Sequence, residues 1–247
     1  MGVLIPDRSA NTLAGSTVVV IGGSSGIGLA CVQSAHGAGA SVVIAGRSAE
    51  KLSQARQRIG EDVTTASVDV AKESEVSALF GEIPRVDHLI VTAAETVSAS
   101  IAEAEEREVR STIDIRLWGG FRAAKYAAPR MDGGSITFVS GTSSQRPYEG
   151  SAFVSASCGA IEAFSRALAL ELAPTRVNVI QAGIIDTPLL DDFYGEKREK
   201  VVRELANTLP AGRIGRPEDI ADAAMFLMRN GFVTGTVLTI DGGKLLA

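Results

Sequence analysis

The chain has little of what stabilises or functionalises many small proteins. Its 247 residues include two cysteines, two histidines, one tryptophan and three tyrosines. Cys31 and Cys158 lie far apart, and neither sits in a CxxC or a Cys/His cluster. That excludes a disulfide scaffold and leaves no metal-ligand spacing, so no metal is expected; a reduced, cytoplasmic pair is the reading. No apolar run reaches the ~18 residues that span a bilayer, and no membrane partner is expected. The start, "MGVLIPDRSA", lacks a basic stretch followed by an apolar core, so it does not read as a signal peptide, and Gly2 lacks the downstream hydroxyl of a myristoylation signal. No basic stripe with interleaved aromatics exists, and 24 basic against 29 acidic residues give −5. Nucleic acid is therefore not an expected partner.

What is present is alternation. Short β-branched runs ("STVVVIGG", "SVVIAG", "VTTASVDV", "VDHLIVTAA", "SITFVS", "RVNVIQAG", "TVLTIDGG") are separated by helical stretches, among them residues 49–58, 73–80, 101–128 and 151–173. Seven strands, mostly apolar on both faces, predict a parallel sheet with helices on both sides. No linker, composition shift or repeat divides the chain. The expectation is one doubly wound α/β domain over 1–247, with an N-terminal extension at 1–12. In such sheets ligands lie beyond the carboxyl ends of the strands. The insertion at about 188–210, which follows a late strand, is accordingly expected to act as a lid on the substrate side.

"VVVIGGSSGIGLA" puts Gly22, Gly26 and Gly28 where a strand ends and a helix opens. A tight turn, close backbone approach and a helix N-terminus together suit a pyrophosphate. Arg47 follows the second strand. An acidic residue there would receive the ribose hydroxyls of NAD, whereas a guanidinium suits the 2′-phosphate of NADP. Asp69 closes the third strand, where it could accept from an adenine amine or cap the next helix.

"GGSSGIG", the Asp69–Val70 pair, "RVNVIQAGIIDTP" and the segment from Gly212 to Gly243 resemble the short-chain dehydrogenase/reductase family, over about Leu13 to Gly243. The resemblance implies a Rossmann-type sheet, a nicotinamide dinucleotide, a small-molecule substrate if the chain is an enzyme, and commonly a homotetramer. It implies cofactor contacts from Gly22, Ser24, Ser25, Gly26, Ile27, Gly28, Arg47, Ser48, Asp69, Val70 and Ala93. Thr187 would bind the nicotinamide carboxamide.

The chemical corner departs from that family. Reducing a carbonyl calls for a proton, and a phenol beside an ammonium at YxxxK spacing can give it. Aligned on the flanking motifs, this chain has Val154 for the tyrosine, Cys158 for the lysine, Gly141 for the serine and Arg116 for the asparagine. No shift of register restores them, because no lysine lies between Lys125 and Lys197 and no asparagine between Asn11 and Asn178. "VTAA" and Glu95 stand where the family has NNAG, Ala182 replaces a proline, and Ile21 a threonine. Tyr148, Arg116 and Glu95 are the candidate replacements, Arg116 and Glu95 either serving the site or pairing with each other. Ser140, Thr142 and Ser143 are hydroxyl donors at hand. Cys158 reads as a small buried hydrophobe unless a cation activates it. His36, at a helix end, and His88, before a strand, have no role. Two functions stay open: an NADP(H) oxidoreductase with a non-standard acid/base set, or a non-catalytic cofactor-binding member.

Overall fold

The computed structural model describes residues 12–247; all but the last residue of the N-terminal extension lies outside them. The strands are β1 (Thr17–Ile21), β2 (Ser41–Gly46), β3 (Thr64–Ser67), β4 (His88–Val91), β5 (Ser135–Gly141), β6 (Arg176–Ala182) and β7 (Val237–Ile240). They form one parallel sheet in the order β3-β2-β1-β4-β5-β6-β7. The order reverses between β1 and β4, and a crevice opens there at the carboxyl ends of the strands.

Side chains alternate across each strand, so one run feeds two cores. Val18 and Val20 of β1 face one side, packing with Val32, Ala35, Ile220 and Leu227 of helices α1 (Gly26–Gly37) and α9 (Pro217–Arg229). Val19 and Ile21 face the other, with Phe80, Ala123 and Ile161 of α3 (Glu73–Glu82), α5 (Gly119–Ala127) and α6 (Ala152–Glu171). Helix α2 (Ala49–Ile59) covers β2 and β3.

The segment expected as one helix over 101–128 instead begins at α4 (Glu106–Ile113) and widens to a π-type turn, Asp114–Trp118, before α5. His88, expected ahead of a strand, opens β4 and is buried. In the 188–210 insertion lie α7 (Leu189–Tyr194) and α8 (Arg198–Thr208), which pack on each other, with Leu190, Val202 and Leu205 joining Leu209 just after α8 in one apolar cluster. By length and composition α6 could cross a membrane, with a mean hydropathy of 1.3. Here it lies against β5 and β6 with Val154, Cys158, Ile161 and Leu168 buried.

Candidate functional site

A cavity of about 340 Å³ opens at the switch point. All twelve residues expected at a cofactor line it, from Gly22 through Arg47, Ser48 and Asp69 to Thr187. The glycines have stereochemical reasons to be there. Gly22 holds φ +87°, and a Cβ on it would lie 2.6 Å from Thr92 Oγ1. A Cβ on Gly28 would lie 2.2 Å from the Gly22 carbonyl oxygen, so strand end and helix start touch backbone to backbone. Ser25 precedes α1 without a side-chain capping bond, and the first turn carries no acidic residue. The helix therefore presents unclaimed N–H groups and its positive end to the cavity. This cradle fits a dinucleotide pyrophosphate.

Beside the cradle, just past the end of β2, the Ser48 hydroxyl accepts from the Lys51 N–H at 3.2 Å and starts α2. That turn aims Arg47 and Lys51 into the same cavity. Sequence reasoning missed Lys51; the signal was a second cation four residues after Arg47. Asp69 does not cap the following helix, whose N-cap is Lys72. Its Oδ1 accepts from the Ala71 N–H at 2.9 Å, and its own N–H is held by Glu75 at 2.8 Å. Glu95 does not pair with Arg116. It faces Arg47 (Nη1–Oε2 3.7 Å) and accepts from the Ser111 hydroxyl at 3.1 Å.

The chemical corner lies at the end of β5 and the start of α6. Val154 and Cys158 occupy successive turns of α6 and are buried. The Ser143 hydroxyl sits 3.6 Å from Cys158 Sγ. A Cβ at Gly141 would meet Cys158 Sγ at an ordinary 3.5 Å, so a larger residue has room there. One turn beyond Cys158, buried Glu162 accepts on Oε1 from Ser140 and Ser144 at 2.8 Å and from Gln181 at 3.1 Å. Ser140 is therefore committed to the carboxylate. Thr142 accepts from Lys244 Nζ at 3.2 Å, a half-buried ammonium that burial and Arg146 push below the ordinary lysine value. Lys244 escaped the sequence search because it arrives from the turn after β7, far beyond α6.

Arg116 stands on the π-type turn, 8% exposed. Its Nη1 donates to the Val139 carbonyl at 3.4 Å, and its Nε has no partner. Tyr148 is 47% exposed, in a loop pinned by hydrogen bonds with Ser151. Its phenol is pushed above the ordinary tyrosine value by burial and then by Tyr194, while Ser98 and Arg116 pull it back. A phenol so shifted stays protonated at neutral pH and is a weaker acid than one beside an ammonium. None of the three expected replacements reproduces a Tyr–Lys pair.

A family model described as enoyl-(acyl carrier protein) reductase matches residues 21–244. The short-chain dehydrogenase/reductase ATR9 of Stachybotrys chlorohalonatus is 32% identical, covering 95% of this chain and 99% of its own. The solved structure of MalC reductase/Diels-Alderase from Malbranchea aurantiaca is 32% identical with a TM-score of 0.91, covering 97% of this chain and 100% of its own. A small-chain dehydrogenase solved in complex with NADPH is 32% identical with a TM-score of 0.82, covering 94% of this chain and 99% of its own. Sequence motifs, sheet order and relatives agree: the chain belongs to the short-chain dehydrogenase/reductase family, an oxidoreductase family that uses a nicotinamide cofactor.

Proposed function

We propose that this chain is an NADP(H)-dependent oxidoreductase acting on a small molecule that needs no protonation by a tyrosine of the protein. The observation that carries this reading is a contrast. The glycine cradle, Arg47 and Thr187 line one cavity, while Gly141, Val154 and Cys158 leave the acid position without a phenol or an ammonium. Bound there, the nicotinamide would supply or take up a hydride.

The residues of this chain then divide the work of holding it. The N-terminus of α1, with Ser24 and Ser25, receives the pyrophosphate. Arg47, with Lys51 as a second cation, receives the 2′-phosphate by charge-assisted hydrogen bonds. Asp69 accepts from the adenine amine, and Thr187 orients the carboxamide. The helices α7 and α8 cover the substrate side as a lid. The NADPH-bound relative supports the choice of cofactor, and the name reductase borne by MalC supports turnover over a purely structural role. The exposed Trp118, Leu170, Phe226 and Phe232 favour assembly, and a homotetramer in the cytoplasm completes the reading; light scattering that returned a monomer mass would remove that part of it.

Following NADPH absorbance with simple ketones tests the chemistry. Loss of a general acid costs roughly 10²–10⁴ in rate and loss of an oxyanion donor roughly 10²–10³, with overlap between them. Turnover near background is expected. Val154→Tyr alone should add little, because its phenol would lack an ammonium neighbour. The fourfold change Val154→Tyr, Cys158→Lys, Gly141→Ser and Arg116→Asn should raise the rate. Brisk reduction of a simple ketone by the unmodified protein would refute the proposal.

A further inference from the structure

Arg116 is a charge in the wrong place for a stable protein. A guanidinium cannot shed its proton, so burial cannot be relieved by neutralisation. Buried charges are ordinarily paired. Among the described residues, no carboxylate comes within the 4.0 Å of an ion pair with Arg116, and its single hydrogen bond, to the Val139 carbonyl, is long at 3.4 Å. Its Nε is buried and has no partner at all. The backbone beneath is also irregular. Asp114–Trp118 is a π-type turn inside an otherwise α-helical run, a distortion that recurs at functional positions. Ile115, the preceding residue, lines the cofactor cavity. The π-type turn packs against α6, the helix that carries Val154 and Cys158.

We infer that Arg116 is an anion receptor: the substrate places a negatively charged oxygen, a carboxylate or an enolate-type oxyanion, against the orphaned guanidinium on the turn that packs against α6. This rests on the oxidoreductase reading and adds the charge of the substrate to it. The missing counterion is then the ligand's. The planar fork of the guanidinium matches a carboxylate with two parallel hydrogen bonds, and the buried setting of Arg116 strengthens the attraction by keeping water away. The cost of the unpaired charge is carried by the ligand-free protein, a familiar arrangement at sites built for binding rather than stability.

Two measurements on the full chain test it, both without turnover. The first is binding of formate, acetate and benzoate, each against its neutral amide, to protein saturated with NADP⁺ and to protein without cofactor. At least one carboxylate should bind roughly tenfold or more tighter than its amide, and Arg116→Met should erase that preference. An arm with 4-nitrophenol separates the two kinds of oxygen: its visible absorption should show the bound molecule as phenolate at a pH where the free molecule is mostly neutral, if an oxyanion is accepted as well as a carboxylate. The second is thermal unfolding. Arg116→Met should raise Tm by roughly 2–4 °C or more, since the uncompensated charge is gone. The inference is overturned if no anion outcompetes its neutral counterpart, if Arg116→Met binds anions as well as the unmodified protein does, or if Arg116→Met melts lower. A failure of NADPH to bind, with anion selectivity intact, would sink the cofactor reading and leave Arg116 as a receptor.

Discussion

Arg47, which lines the cavity, and Glu95, 48 positions further along the chain, face each other with Nη1 3.7 Å from Oε2. The carboxylate holds the guanidinium that a 2′-phosphate would claim, so the two compete. Both side chains are well exposed, at 63% and 38%, and such a pair is worth about 0–1 kcal/mol. Glu95→Gln should therefore tighten NADPH by up to about fivefold and leave NADH nearly unchanged. Fluorescence titration of both cofactors checks this, and weaker NADPH binding in the variant would count against it.

His88 sets a lower pH limit on stability. It is buried in β4, its Nδ1 2.9 Å from the Ser135 hydroxyl. Burial, then Arg176, pushes the imidazole from 6.5 down to about 4. The unfolded chain takes up a proton as pH falls below about 6.5, whereas the folded protein resists until about 4. The contribution is thus complete above 6.5 and is lost as pH falls through that window, by an amount on the order of 3 kcal/mol. Tm should drop between pH 7 and pH 4.5, and His88→Gln should flatten the drop. An unchanged slope in the variant would point to other groups.

Glu162 should prove structural. Three donors converge on its Oε1 from Ser140, Ser144 and Gln181. Gln181 also donates to the Ser144 hydroxyl at 2.9 Å and accepts from Thr239 at 2.9 Å, so α6 is tied to β5, β6 and β7. Glu162→Ala leaves those donors buried and unsatisfied, at a cost of about 2–3 kcal/mol. Denaturant unfolding should show that loss without a change in m-value. A variant as stable as the unmodified protein would mean that water replaces the carboxylate.

Seven strands and the cofactor turn were legible because each has a local signature. β-Branched runs such as "TVVVI" read as buried strands, and Gly22, Gly26 and Gly28 mark a turn with no room for a Cβ. The emptied corner was legible by absence: no tyrosine or lysine stands at positions 154 and 158. What escaped was tertiary. Lys51 looks like any exposed helix cation until the start of α2 is aimed at the cavity. Glu162, one of two acidic residues in an alanine-rich helix, looks solvated until donors from β5, β6 and the turn after β5 converge on it. Lys244 reaches Thr142 across 102 positions of chain. The π-type turn at Asp114–Trp118 leaves little trace in apolar periodicity, because one widened turn barely displaces the pattern. Glu95, read as either serving the corner or pairing with Arg116, meets Arg47 and Ser111 instead.

The central claim is that a working NADP(H) site survives beside a corner stripped of its acid. Fluorescence titration of the unmodified protein and of Arg47→Ala with NADPH and NADH tests it most directly. NADPH should bind the unmodified protein at least roughly tenfold tighter than NADH, as one charge-assisted contact to the 2′-phosphate requires, and Arg47→Ala should bring the two together. If neither cofactor binds, or if both bind equally with Arg47 in place, the account is contradicted.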